Sequence, residues 1–168
     1  MQNTKGGIFI NLIVREANVN DYIGISSLVL EVHNLHVENR PDVFLEVDNP
    51  FLKEQFEDLL NSNDTKLFVV ENTDNKDLVA YSIVKIMATS CLPILIQRRF
   101  AYIDNFCVKD SYKRNGIGKL LFQHIIGYAK SQGASSLQLS VWEFNHDAIN
   151  FYKAAGMSTR NRKMELKL

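Results

Sequence analysis

Apolar residues recur along the chain with two periods, and the points where one gives way to the other divide it into elements. Ile8–Arg15 is short and dense in Ile, Val and Phe, the pattern of a first strand. Asn20 or Asp21 then offers a cap for a helix carrying Ile25, Leu28, Val29 and Val32. That helix ends near Arg40, because the residue before Pro41 is driven out of the helical region. A shorter amphipathic helix with Phe51, Leu52, Phe56, Leu59 and Leu60 is predicted to start at Asn49-Pro50, a cap followed by proline in the first turn. Strands at Lys66–Glu71 and Leu78–Met87 flank a turn rich in Asn and Asp and form a hairpin. A long hairpin loop, Ala88–Arg99, leads into a strand at Phe100–Val108. From Gly116 the period becomes helical, with Ile117, Leu120, Leu121, Ile125, Tyr128 and Ala129 on one face and Gly133 as the stop. Leu137, Leu139 and Val141 alternate with Ser136, Gln138 and Ser140 as a strand, Asn145–Ala155 is a short helix, and Met164–Leu168 is predicted to close the sheet.

This order describes a single mixed α/β domain over residues 1–168, with no repeat or linker and with the polar, glycine-ended residues 1–7 expected to be disordered. Composition adds only exclusions. With 46% hydrophobic and 23% charged residues the chain has the make-up of a globular domain, and 19 basic against 19 acidic residues favour no polyanion, so no nucleic-acid partner is expected. The apolar run Ile8–Val14 is broken by Asn11 and closed by Arg15-Glu16, which is neither a signal peptide nor a span; a cytoplasmic location and no membrane partner are expected. Cys91 and Cys107 read as reduced thiols, too few for a zinc site or a disulfide framework.

One stretch changes the picture. Between a predicted strand and a predicted helix lies Lys113-Arg114-Asn115-Gly116-Ile117-Gly118-Lys119. Free N–H groups at a helix start and the helix dipole attract an anion, the two glycines keep the approach clear, and Lys113, Arg114 and Lys119 add positive charge. A Walker loop would need glycine at Lys113 and Ser or Thr at Leu120, and a dinucleotide fingerprint would need Gly or Ala at Leu121, so neither nucleoside triphosphates nor NAD is indicated.

Lys113 to Gly118 resembles the phosphate loop of the GNAT-type N-acetyltransferases, in which Arg or Gln is followed by two residues, Gly, one residue, and Gly or Ala; lysine stands at the first position here. A second block, Asn145-His146-Asp147-Ala148-Ile149-Asn150-Phe151-Tyr152-Lys153-Ala154-Ala155-Gly156-Met157, resembles the family's Asn-x-x-Ala-x-x-Phe-Tyr-x-x-x-Gly-Phe pattern, with Met157 in place of the aromatic. The resemblance implies the acyl-CoA N-acyltransferase fold, a mixed and mostly antiparallel sheet of about six to seven strands with four helices and a splayed central strand pair. It implies acetyl-CoA as co-substrate and direct transfer of the acetyl group, through a ternary complex, to a primary amine of a small molecule, amino acid or peptide. Acetylation of a protein lysine or N-terminus, or a non-catalytic acetyl-CoA sensor, are the alternatives. Dimeric relatives extend the analogy to a homodimer.

Carried over by position, the resemblance puts the backbone of Phe106, Cys107 and Val108 against the pantetheine arm, the Lys113–Lys119 loop on the pyrophosphate, Asn145 on the cofactor arm, and Tyr152 as the acid for the departing thiolate. A phenol near 10 against roughly 8.5 for a thiol suits that step. Glu143 and Asp104 are the candidate bases, beside a water chain, and either can equally be a structural carboxylate. His33, His36 and Arg40 lie toward the acceptor, in a segment, His36 to Phe44, that resembles an acceptor-side loop of some bacterial members; Arg40 and Asp42 either select the acceptor or brace the loop. His33 and His36 lack an evident third ligand, so no metal is expected.

Overall fold

The computed structural model describes residues 2–5 and 8–168, with side chains from Asn11 onward. Six strands, β1 (Gln2–Lys5), β2 (Ile8–Glu16), β3 (Thr65–Asn72), β4 (Leu78–Ala88), β5 (Arg99–Val108) and β6 (Leu137–Leu139), lie side by side in chain order. All neighbours are antiparallel except β5 and β6, which run parallel. Helices α1 (Tyr22–Asn39) and α2 (Lys53–Asn61) cover one face, and α3 (Ile117–Ser131) and α4 (His146–Ala154) cover the other.

Covering both faces explains why β3 is buried almost throughout instead of alternating. Leu67 and Val69 join Ile25, Leu28, Phe56 and Tyr81 under α1 and α2, while Phe68 and Val70 join Leu121, Phe122 and Ile125 under α3. The hinge of the architecture is a bulge in β5. Ile83 pairs with Asn105 but Val84 pairs with Ile103, so Asp104 is the extra residue. One inserted residue reverses the side-chain parity. Ala101 and Ile103 face α3 before the bulge, and Phe106 and Val108 face it afterwards, with Cys107 turned to the other core.

Four details differ from the sequence reading. The second helix starts at Lys53, because Phe51 is drawn into the core and Gln55 Oε1 accepts from the Leu52 N–H at 3.0 Å, capping the helix three residues late. The strand after α3 ends at Leu139, short of Val141. Met164–Leu168 forms no strand: Glu165 and Lys167 are held by Arg40 and Asp42, while Met164, Leu166 and Leu168 face solvent. The parting strand pair therefore lies at an edge of the sheet. At the other edge Gln2–Lys5 is a strand, within the segment expected to be disordered; Met1, Gly6 and Gly7 lie outside the described residues.

Candidate functional site

β5 and β6 pair only from Ala101↔Leu137 to Ile103↔Leu139, yet β5 runs on to Val108. Past the bulge, the Lys109 N–H bonds Val79 O at 2.9 Å, which fixes the alternation against β4. Residues 105, 107 and 109 spend their backbone groups on β4, so the N–H and C=O of Phe106 and Val108 point into the gap left by β6. Cys107, carried over with them, has its backbone on β4 and its side chain buried; burial pushes that thiol up to about 12, so it holds its proton at neutral pH.

The strand delivers the chain directly into the glycine loop. Arg114 at φ 60° and Gly116 at φ 76° are both left-handed, reversing the chain so that α3 begins at Ile117. Asn115 Nδ2 donates to the carbonyls of Tyr112 and Lys113 at 3.0 and 2.8 Å, so its side chain braces the loop. No side chain caps α3, and the N–H groups of Ile117, Gly118 and Lys119 remain open to a ligand. Lys113 is ion-paired with Asp110, while Arg114 and Lys119 are exposed. From the opposite face, Glu31 of α1 accepts the Asp110 N–H at 2.7 Å and ties α1 to this loop. Gly118 does more than leave room for an anion: a Cβ there would stand 3.3 Å from Phe151 and 3.6 Å from Val108, so the glycine lets α4 close onto α3 and β5.

α4 carries the second block. Asn145 Oδ1 accepts the Ala148 N–H at 3.1 Å and caps the helix, which directs only its amide nitrogen elsewhere. Tyr152 lies among Phe106, Phe122 and Phe151, with ring centroids 5.2–6.1 Å away. Burial raises its phenol well above the usual range, keeping it a proton donor.

The other candidates are more scattered. Asp104 is bound to Lys85 at 2.6 Å, and Glu143 is exposed in the turn before α4. His33 Nε2 donates to Leu45 O at 2.8 Å, whereas His36 stacks on Phe44 at 4.9 Å, so the two histidines hold the loop after α1 separately. Arg40 grips Asp42 through two bonds of 2.9 and 3.1 Å, the bracing alternative, and also reaches Glu165 and lies over Trp142 at 5.1 Å. Trp142 and Phe144, which join His36 and Phe44 in an aromatic cluster, were missed by sequence reasoning. They lie about 100 residues from His36 and Phe44, and no local spacing marks the pairing. Among the described residues no group of His, Cys, Asp and Glu is placed to hold a metal ion.

The acetyltransferase (GNAT) family profile matches residues 29–157, from α1 through the end of the second block. The chain belongs to that family. Its members use acetyl-CoA, and the open N–H groups of the gap and of α3 fit such a molecule. A [ribosomal protein bS18]-alanine N-acetyltransferase of Escherichia coli is 26% identical over 123 residues, 73% of this chain and 71% of that protein. A thialysine N-epsilon-acetyltransferase of Bos taurus is 34% identical over 58 residues, 34% of each chain. A crystal structure of a mutant BH1408 protein from Bacillus halodurans superposes with a TM-score of 0.90 at 33% identity, covering 93% of this chain and 99% of the other. The chain is thus an acyltransferase with the fold expected of this family.

Proposed function

We propose that this protein transfers the acetyl group of acetyl-CoA directly to a primary amine, in a ternary complex assembled in the gap between β5 and β6. The observation that carries the reading is the continuity of that gap. The outward backbone of Phe106 and Val108 leads into the uncapped start of α3, and Tyr152 stands beside Phe106. The Val108 N–H can pair with the thioester oxygen as negative charge develops there, without reorganising. The amine nitrogen bonds the carbonyl carbon, the carbon–sulfur bond breaks, Tyr152 gives its proton to the leaving thiolate, and the proton released by the acetylated nitrogen restores the phenol. The open Ile117, Gly118 and Lys119 N–H groups, with Arg114 beside them, take the pyrophosphate.

Direct transfer is supported by the state of Cys107. A buried thiol held protonated is not a nucleophile for a covalent relay, and Cys91 lies on a remote loop. The amine must lose its proton before it attacks. Glu143, exposed and without an ion pair among the described residues, is better placed for that than Asp104, which Lys85 holds. His36 and Arg40, with the aromatic cluster, form the acceptor end, and His33 fixes the loop that carries it. Curated relatives acetylate amines on a ribosomal protein and on thialysine, and a small-molecule, amino-acid or peptide amine is the acceptor class we assign here.

The test is a thermal melt with acetyl-CoA, using ATP and NAD as controls. At 100 times Kd the ligand stabilises by about 2.7 kcal/mol, several degrees for a domain of this size. A shift given by acetyl-CoA alone supports the reading and justifies screening amines for thiol release. The absence of any shift at saturating acetyl-CoA ends it.

A further inference from the structure

The loop between β4 and β5 reverses the usual build of a surface loop. Its polar groups are turned inward onto its own backbone. The N–H and Oγ1 of Thr89 donate to Arg98 O at 3.0 and 3.1 Å, and Gln97 Nε2 donates to Ser90 O at 3.0 Å. The Leu95 N–H closes a turn on Leu92 O at 3.0 Å, with Pro93 at its second position. Turn tips ordinarily carry Gly, Asn or Asp. Here four aliphatic side chains crown the tip: Ile94 and Ile96 are each 86% exposed, Leu92 52% and Leu95 40%. A braced loop that holds so much apolar surface in water marks a contact site.

Charge identifies the partner. Arg98 and Arg99 stand exposed at the base of the tip, and the sequence from Thr89 to Ile103 contains no acidic residue. Arg99 reaches Gln132 O at the end of α3, whose last turn carries Lys130, so the wedge has a cationic collar. We propose that this hairpin docks on an anionic lipid surface, with the four aliphatic side chains among the acyl chains and the collar at the headgroups. A convex tip needs a matching pocket in a protein but only displaces lipid in a fluid bilayer. A second copy meeting it about a two-fold axis would set arginine against arginine, with no carboxylate in the loop to offset them.

The contact is peripheral, since no helix of the described residues is long and apolar enough to cross a membrane, and it replaces the expectation that no membrane takes part. The hairpin lies at the end of β5 opposite Val108, about 30 Å of strand away, so docking leaves the gap facing solvent. The proposal is independent of the acetyl-transfer reading, and its readouts do not involve activity.

Cys91 offers the probe, being exposed at the base of the tip while Cys107 is buried. The protein, labelled at Cys91 with an environment-sensitive fluorophore and in parallel unlabelled, is titrated with vesicles of equal parts phosphatidylserine and phosphatidylcholine, and with phosphatidylcholine alone. The expected result is blue-shifted emission and co-sedimentation on the mixed vesicles, weakened by salt. Ile94→Glu with Ile96→Glu should weaken vesicle binding by about tenfold or more while leaving the melting temperature unchanged. Arg98→Gln with Arg99→Gln should lower affinity for mixed vesicles to that for phosphatidylcholine. Failure to sediment with either vesicle overturns the proposal, as does vesicle binding that neither variant alters. So does a dimer in sedimentation velocity that the double glutamate variant dissociates, which would give the hairpin to a second copy.

Discussion

Tyr152 and Gly118 act on one another through Phe151. Burial among three aromatic rings raises the phenol's pKa, and the role of acid proposed for it depends on α4 lying close against β5. Tyr152→Phe keeps the packing and removes the proton; kcat should fall about tenfold or more with acetyl-CoA affinity unchanged, read by steady-state kinetics and by calorimetry. An unchanged kcat would remove Tyr152 from the mechanism. Gly118 separates two effects by size. Alanine there gains some helix propensity, less than in a helix interior because Gly118 lies in the first turn, and Phe151 must yield a few tenths of an ångström to a Cβ at 3.3 Å. Valine has no such margin and should cost about 1–3 kcal/mol in denaturant unfolding, with kcat falling as Tyr152 is displaced. A Gly118→Val variant as stable as the parent would show that α4 does not rest on this contact.

Among the elements, the start of α1 is fixed by charge. Arg15 on β2 bonds Asp21 and Glu71, both at 2.7 Å, and Asp21 also accepts the Asn18 N–H at 2.7 Å. Burial pushes the Asp21 carboxyl up, but Arg15 and Asn18 outweigh it and hold it below its usual range; Arg15 and then Lys76 hold Glu71 down. Carboxyls depressed in the folded state stabilise it fully above their unfolded values, about 3.9 and 4.3, and that stability is lost as pH falls through the lower folded values. Unfolding free energy should therefore decline below about pH 4. Arg15→Ala should flatten that decline and cost about 2 kcal/mol or more at neutral pH, because the largely buried Asp21 loses its cation and Glu71 keeps only Lys76. A slope identical to the parent's would place the acid sensitivity elsewhere. None of this triad was legible beforehand, since Glu71 is 56 residues from Arg15 and meets it only across the β2–β3 pair, and no local pattern marks the bond between Arg15 and Asp21. The elements themselves were legible wherever periodicity was long, as in α1 and α3, and so was the glycine loop that leads into α3, whose glycines and cations are contiguous. The closing strand misled because alternation at Met164, Leu166 and Leu168 marks a segment able to pair, not one that has a partner. The parting of β5 and β6 was expected only from resemblance; the bulge at Asp104 that aims Phe106 and Val108 depends on β4 and leaves no trace in β5's own residues.

At the scale of the whole molecule, three chain segments meet in an aromatic knot, and ion pairs join the tail to it. His36 from α1, Phe44 from the following loop, and Trp142 and Phe144 from the turn before α4 each lie within 6.4 Å of at least two of the other rings, and Arg40 over Trp142 joins them to the tail through Glu165. The exposed ion pairs to the tail are screened by solvent and contribute little, so the rings are what hold the knot. Burial, and then the neighbouring His33, lower the affinity of His36 for a proton, and the neutral ring is the one stacked on Phe44. The folded value is depressed, so the stability is complete above the unfolded value of about 6.5 and is lost as pH falls through the lower folded value. Protonation would place an imidazolium inside the aromatic knot and pull the end of α1 from Trp142. Trp142 is the only tryptophan of the chain, so its emission reports that event without a label. Emission should change in one step below pH 6.5, accompanied by a lower melting temperature. His36→Phe, which keeps a ring and removes the proton site, should abolish that step and leave the acid transition in place. A step that survives in His36→Phe would mean that the knot is insensitive to His36, and that the loop after α1 keeps its grip on Trp142 through Phe44 and Arg40 alone.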